Sequence, residues 1–301
     1  MSKTVIIIAG PTASGKTALS VEMAAWFNTA VISADSRQCY REISIGTAKP
    51  SPAELEAVPH YFINSHSITE EVNAGIYEKL ALQYAGKIFE ENDVAVMCGG
   101  TGLYIRAFAE GIDDMPDIDP GIRARLNEQF AQQGISWLQQ QLRERDPAFF
   151  AGAETHNPQR LIRALEVLEA TGRSITAFRT ATRARRNFNI IKIGITLPKE
   201  LLHQRIHHRV DLMMTAGLVE EVKNVLPYRS HNALRTVGYA EMFSFLDGAL
   251  SLEQAVTDIK THTRQYAKRQ LTWFRTTTAF QWFDARQGTE IMKYVQQQLL
   301  A

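Results

Sequence analysis

Cysteine is nearly absent from this chain: there are two in 301 residues, Cys39 and Cys98, and no C-x-x-C pair. That excludes a disulfide framework and leaves too few thiols for a four-cysteine zinc site. Both are expected to stay reduced, as in a cytosolic protein. Long apolar runs are missing too. The N-terminal run Val5–Ala9 breaks at Gly10-Pro11, too early for a signal peptide, and no stretch approaches the length that spans a bilayer. The expectation is a cytoplasmic protein with no membrane partner. Net charge is close to nil: 33 Lys and Arg against 32 Asp and Glu leave +1, so overall balance names no partner. Internal repeats and low-complexity segments are lacking, and no apolar heptad or exposed stripe is evident, which favours a monomer. What is present is a chain 45% hydrophobic, enough for a real core, with a length that suggests about two domains.

Against that plain background one stretch carries strong information. Gly10-Pro11-Thr12-Ala13-Ser14-Gly15-Lys16-Thr17 has the spacing G-x-x-x-x-G-K-[ST] of a phosphate-binding P-loop. It follows the apolar run and leads into an amphipathic segment, Ala18–Phe27. Glycines allow the backbone to turn N–H groups inward, and the following helix points its positive end at the same place. Lys16 adds a mobile point charge, and the Thr17 hydroxyl is suited to hold magnesium. Some phosphate or pyrophosphate is therefore expected to bind here.

The rest of the chain alternates short apolar strands with helices. Thr4–Ala9, Ala30–Ala34, Tyr61–Asn64 (weaker) and Asp93–Cys98 read as strands, and Gly15–Phe27 and Asn73–Glu91 as helices. This pattern predicts an α/β fold with a parallel sheet, whose ligands bind beyond the carboxyl ends of the strands. Three stretches then gather at one edge: the P-loop, Asp35-Ser36-Arg37-Gln38, and Gly99–Tyr104. Asp113–Pro120 reads as a linker. From Pro120 to about Arg186 the pattern is helical, and a strand returns only at Asn189–Leu197. Residues 113–187 are thus expected to form a helical insertion in a core of residues 1–112 and 188–301. Lys199–Ala216 and Leu252–Phe274 read as long helices, Ala279–Phe283 as a last strand, and Thr289–Leu300 as a closing helix.

A P-loop alone leaves a nucleotide hydrolase, a small-molecule or nucleotide kinase, or an enzyme using the loop for another phosphate. Asp35, ending an apolar strand, fits a magnesium partner, a general base beside the phosphate site, or a simple turn residue. Arg205 and Arg209, one turn apart, could clamp an anion or face solvent. Two basic stretches suggest a polyanion groove. Residues 160–192 hold eight basic groups, among them Arg173, Arg179, Arg183, Arg185, Arg186 and Lys192, against Glu166 and Glu169; 260–275 holds five and no acid. Aromatic residues among them, Phe178, Phe188 and Tyr266, suit stacking on unpaired bases. Trp273 and Phe274 are read rather as core residues.

Together these stretches resemble one family, the bacterial-type tRNA dimethylallyltransferases. The matching segments are GPTASGKT (10–17), ADSRQCY (34–40), IGTAKP (45–50), GGTGLY (99–104), NPQRLIRALEV (157–167), RVDLMMTAGLVEEV (209–222), RTVGYAE (235–241) and THTRQYAKRQLTWFR (261–275). The C-terminal zinc finger of some eukaryotic members is absent. The resemblance implies a P-loop NTPase-like core and transfer of a dimethylallyl group from dimethylallyl diphosphate to N6 of the adenosine 3′ to the anticodon in tRNA. It implies that residues 10–17, magnesium at Thr17, and Arg209 hold the diphosphate, with Lys16 stabilising the leaving group. Asp35 would take the proton of the amine, and Thr101 would sit beside the reacting nitrogen. Asp35, Ser36, Arg37, Gln38, Thr101, Arg123, Gln159, Arg160, Leu161, Ile162, Arg163, Arg235, Thr236, Val237, Gly238 and Tyr239 would contact the RNA, and the insertion would grip the anticodon stem-loop.

Overall fold

A computed structural model describes residues 2–152, 155–179, 183–277 and 279–300. Six strands, β1 (Thr4–Ala9), β2 (Val31–Ser33), β3 (His60–Tyr61), β4 (Val94–Gly99), β5 (Asn189–Thr196) and β6 (Gln281–Asp284), form one sheet in the order β3-β2-β4-β1-β5-β6. Every pairing is parallel. The helices are α1 (Lys16–Trp26), α2 (Pro52–Ala57), α3 (Ala74–Glu91), α4 (Gly102–Glu110), α5 (Pro120–Arg145), α6 (Pro147–Gly152), α7 (Pro158–Thr171), α8 (Lys199–Thr215), α9 (Leu218–Asn224), α10 (Tyr239–Leu246), α11 (Leu252–Thr277) and α12 (Gly288–Leu300). None of the described helices is long and apolar enough to cross a membrane.

From Val5 to Ala9 β1 is apolar because both of its faces are covered. Val5, Ile7 and Ala9 join a core that includes Tyr77 and Ala81 of α3, Phe108 of α4, and Ile259 and Phe274 of α11. Ile6 and Ile8 point the other way, into a core shared with Leu19 and Met23 of α1 and Ile291 and Val295 of α12. Period-two alternation thus sends one strand's side chains into two separate layers. The elements missed in the sequence are short. α2 does carry a local signal: Ser51 and Glu54 form a capping box around Pro52. α4 opens on Gly102, a poor helix former, which hides it from periodicity.

The chain divides into two compact units, residues 1–111 with 185–301, and residues 112–184. The second unit is helical. α5, broken at Gly134, packs with α6 and α7 around Leu138, Leu142, Leu161, Ile162 and Leu165. Arg185 and Arg186, expected in the insertion, belong to the first unit for a physical reason. Arg186 Nη2 reaches Glu78 Oε1 at 2.6 Å and donates to the Ala107 carbonyl at 2.8 Å, while Nε donates to the Phe108 carbonyl at 2.7 Å.

Two groups of the expected basic surplus are spent inside the first unit. Arg186 is a half-buried structural cation, and Lys192 pairs with Glu110. Within the second unit, Arg123 and Arg163 both face the buried carboxylate of Glu166, and Arg125 and Arg145 share Glu169. Phe188 stacks on Phe108, and Phe178 packs against the second unit's core with Arg173 over its ring, so both rings are half-buried in intramolecular packing. Replacing Arg186 by Met removes the cation shared by Glu78 and the Ala107 and Phe108 carbonyls; urea denaturation should show a loss of about 2 kcal/mol. The exposed Arg185, replaced in the same way, should change stability by less than about 0.5 kcal/mol.

Candidate active site

Sheet register builds the site. Ala9 pairs with Gly99 and Ser33 with Cys98, so β1, β2 and β4 release their loops side by side. Ala34 ties two of them: its N–H donates to the Cys98 carbonyl at 2.7 Å, and its own carbonyl accepts from Thr101 N–H at 3.1 Å. The approach is so close that a Cβ at Gly99 would lie 2.1 Å from the Ala34 oxygen. Gly10 has the same constraint on its other side, where a Cβ would fall 2.3 Å from the Ile195 oxygen.

The P-loop wraps the start of α1. Gly15 is left-handed at φ 98° and supplies no side-chain cap, so the first-turn N–H groups are available to an anion. Ala13, at φ 63°, holds a conformation that costs a side-chain-bearing residue energy and is kept where the loop needs it. Lys16 Nζ donates to the Pro11 carbonyl at 2.6 Å. The residue keeps some open surface, but its ammonium lies deep, and burial lowers its pKa to about 8. Arg209 of α8 donates from Nη1 to Thr12 Oγ1 at 3.2 Å. Burial also pulls the Arg209 pKa down, opposed by the Glu54 carboxylate. Ser14 Oγ is buried without a hydrogen-bond partner, an unusual state for a hydroxyl and one that a bound phosphate or cation would relieve.

A cavity of about 330 Å³ opens over this loop. Thr12 through Thr17, Asp35, Arg37, Gln38, Arg209 and Thr236 to Gly238 all line it, as do Tyr266 and Gln270. Asp35 Oδ1 accepts the N–H groups of Arg37 at 2.9 Å and Gln38 at 3.4 Å, a turn geometry that holds the carboxylate in place. Thr101 Oγ1 accepts Ser36 N–H at 3.0 Å, which ties the third loop to the second. A second basin of about 610 Å³ is lined by Ser36, Arg37, Arg229, Arg235 and Arg269. It shares Arg37, Thr236, Val237 and Tyr266 with the first cavity, so the two adjoin.

Other expected site residues sit elsewhere. Arg123 and Gln159 to Arg163 belong to the second unit, where Gln159 and Arg160 are exposed while Leu161 and Ile162 are buried in its core. Tyr239 is also fully buried: its hydroxyl donates to Glu221 Oε1 at 2.6 Å and its ring covers Gly46. The side chains of Leu161, Ile162 and Tyr239 are therefore packing groups.

Two anchors escaped the sequence reading. Glu221 of α9 accepts the N–H groups of Ser44, Ile45 and Gly46 at 2.7, 2.8 and 2.9 Å, fixing the loop whose Gly46 and Thr47 wall the cavity. Gln270 of α11 bonds to Thr12 and Gly100. Its signal was legible: with Ala267 and Phe274 it occupies a buried helical stripe, and an amide on such a stripe needs partners.

Comparison with known proteins decides the family. Residues 38–277 match the family model for IPP transferase. The tRNA dimethylallyltransferase of Cytophaga hutchinsonii is 46% identical over 299 residues, covering 99% of this chain and 98% of that one. The chain belongs to the tRNA dimethylallyltransferase family. A second family relative, from Christiangramia forsetii, is 46% identical over 99% of both chains. The crystal structure of the full-length tRNA isopentenylpyrophosphate transferase from Bacillus halodurans aligns with a TM-score of 0.72 at 35% identity, over 99% of this chain and 97% of that one. A eukaryotic dimethylallyltransferase, captured acting on tRNA, aligns with a TM-score of 0.77 at 26% identity, over 94% of this chain and 74% of the other. The P-loop NTPase-like α/β core expected from the sequence is thus the family's core.

The lowered pKa of Lys16 has a measurable consequence. The lysine is charged below its pKa of about 8 and loses that charge as pH rises through it. Affinity for inorganic diphosphate, measured by calorimetry, should therefore fall across this range, and Lys16→Arg, charged at every accessible pH, should remove the step.

Proposed function

We propose that this chain transfers the dimethylallyl group of dimethylallyl diphosphate to N6 of the adenosine 3′ to the anticodon of tRNA, releasing diphosphate. The observation that carries this reading is the single cavity that joins the P-loop to Asp35 and opens beside an arginine-lined basin. A kinase would use the phosphate loop with a base but has no need of the arginine-lined basin, and a non-catalytic RNA-binding module needs only the basic half.

The chemistry divides between the two sides. An allylic diphosphate departs readily because the developing cation is delocalised, so the protein must stabilise negative charge on the leaving group. The α1 N-terminus, Lys16 and Arg209 are aimed at that task. Thr17 and the unpartnered Ser14 hydroxyl present oxygen donors, the type magnesium prefers, so the residues fit that ion. Magnesium held by Thr17 would add further charge neutralisation on the diphosphate.

The adenine amine is a weak nucleophile because its lone pair is drawn into the ring. Asp35 uses Oδ1 to hold its own turn, which presents Oδ2 to orient the amine and accept its proton. Thr101 sits beside it, oriented through Ser36. The target base must leave its stack to reach this point. Ser36, Arg37, Gln38, Arg235 and residues 236–238, which line one or other of the two cavities, border its path, and the exposed Arg160 and Gln159 of the helical unit grip the stem-loop. The protein works as a monomer in the cytoplasm.

Incubation with magnesium, dimethylallyl diphosphate and an anticodon stem-loop, followed by mass spectrometry of the RNA, separates the readings. Addition of one five-carbon prenyl group supports transfer; ATP turnover without RNA supports the kinase, and RNA binding without modification the module. Asp35→Ala should lower the transfer rate by about 100-fold or more while stem-loop affinity stays within about threefold. Near-normal transfer by that variant would remove Asp35 as the base.

A further inference from the structure

α11 runs past two of the loops that build the cavity, and one side chain touches both. Gln270 is 5% exposed, so its amide depends on hydrogen-bond partners within the protein. Oε1 accepts the backbone N–H of Thr12 at 2.8 Å, and Nε2 donates to the Gly100 carbonyl at 2.9 Å. The orientation of the amide is unambiguous, because an N–H only donates and a carbonyl only accepts. Space confirms the fit: a Cβ on Gly100 would come within 2.2 Å of Nε2. The same helix is seated on either side of this bridge. Ala267 packs in a small core with Ala13 of the P-loop, and Trp273 covers Gly102, where a Cβ would meet the ring at 2.0 Å.

Each partner is one step from the chemistry. Thr12 belongs to the diphosphate cradle and also receives Arg209 at its hydroxyl. Gly100 precedes Thr101, whose hydroxyl orients the Asp35 loop through Ser36 N–H. We propose that Gln270 is a positioning residue that fixes the distance between the diphosphate cradle and the amine-binding loop, so that leaving group and nucleophile meet in register. This assignment rests on the transferase reading above. A misplacement of about 1 Å between reacting groups costs on the order of 100-fold in rate, whereas each substrate alone still finds its own half of the site.

The bridge requires one acceptor and one donor, which gives the test its discrimination. Gln270→Met supplies neither. Its kcat for prenyl transfer should fall by about 30- to 100-fold, with KM for dimethylallyl diphosphate and stem-loop affinity within about threefold of the wild type. Gln270→Glu supplies two acceptors when ionised but one acceptor and one donor when protonated. Its kcat relative to wild type should be low at about pH 8 and recover as pH falls towards about 6, the range in which a buried glutamate takes up its proton; the Met variant should show no such recovery. A Met variant with wild-type kcat, or a Glu variant whose relative kcat does not rise on acidification, overturns the proposal. So does a Met variant that loses substrate binding in proportion to rate, since that marks general unfolding of the site. If the wild type transfers no prenyl group, the transferase reading itself is at fault, an outcome distinct from a fault in the role of Gln270.

Discussion

Backbone hydrogen bonding at the carboxyl edge of the sheet is the constraint on which the rest depends. β4 lies between β1 and β2, with Ala9 opposite Gly99 and Ser33 opposite Cys98. Ala34 then bonds to strand and loop at once. Nothing larger than glycine fits at position 99, so the loop carrying Thr101 is pressed against the loop carrying Asp35. The P-loop leaves the same edge on the neighbouring strand. A phosphate cradle and a carboxylate far apart in sequence are thereby placed around one cavity without any catalytic residue having to define the fold.

Charge serves two purposes in this molecule. Several basic groups are consumed by structure: Arg186 holds Glu78 and two carbonyls, and Arg123 and Arg163 neutralise a carboxylate inside the helical unit. Others stay near the cavities. Lys16 and Arg209 are partly desolvated, which raises the value of their charge for an incoming anion. Arg37, Arg229, Arg235 and Arg269 line the adjoining basin. Carboxylates are used with similar economy. Glu221 gathers three backbone N–H groups and a tyrosine hydroxyl, and so stiffens a wall of the cavity from outside it.

The sheet was legible because its inner strands β1, β2 and β4 are short apolar runs buried on both faces, and the P-loop because its spacing follows from phosphate geometry. α8, α11 and α12 follow from periodicity over long segments. α9 and α10 are too short for periodicity to register. The roles of single residues were less legible. A basic count could not separate Arg186, half-buried against two carbonyls, from exposed Arg185, because bonds spanning 78 to 108 residues leave no local mark. Motif membership likewise assigned RNA contact to Tyr239, whose ring is needed under Gly46. Gln270 lay in a quoted motif, yet its partners are 258 and 170 residues away.

The central claim is that one cavity holds a departing diphosphate and the amine that displaces it. The most direct measurement is a crystal structure of the protein with an anticodon stem-loop and a dimethylallyl diphosphate analogue whose bridging oxygen is replaced by sulfur. The diphosphate should lie on the backbone N–H groups of residues 13–17, with Lys16 and Arg209 against it, and the adenine N6 within hydrogen-bond reach of Asp35. A diphosphate bound away from that loop, or an adenine amine facing a cavity that Asp35 does not line, would contradict it.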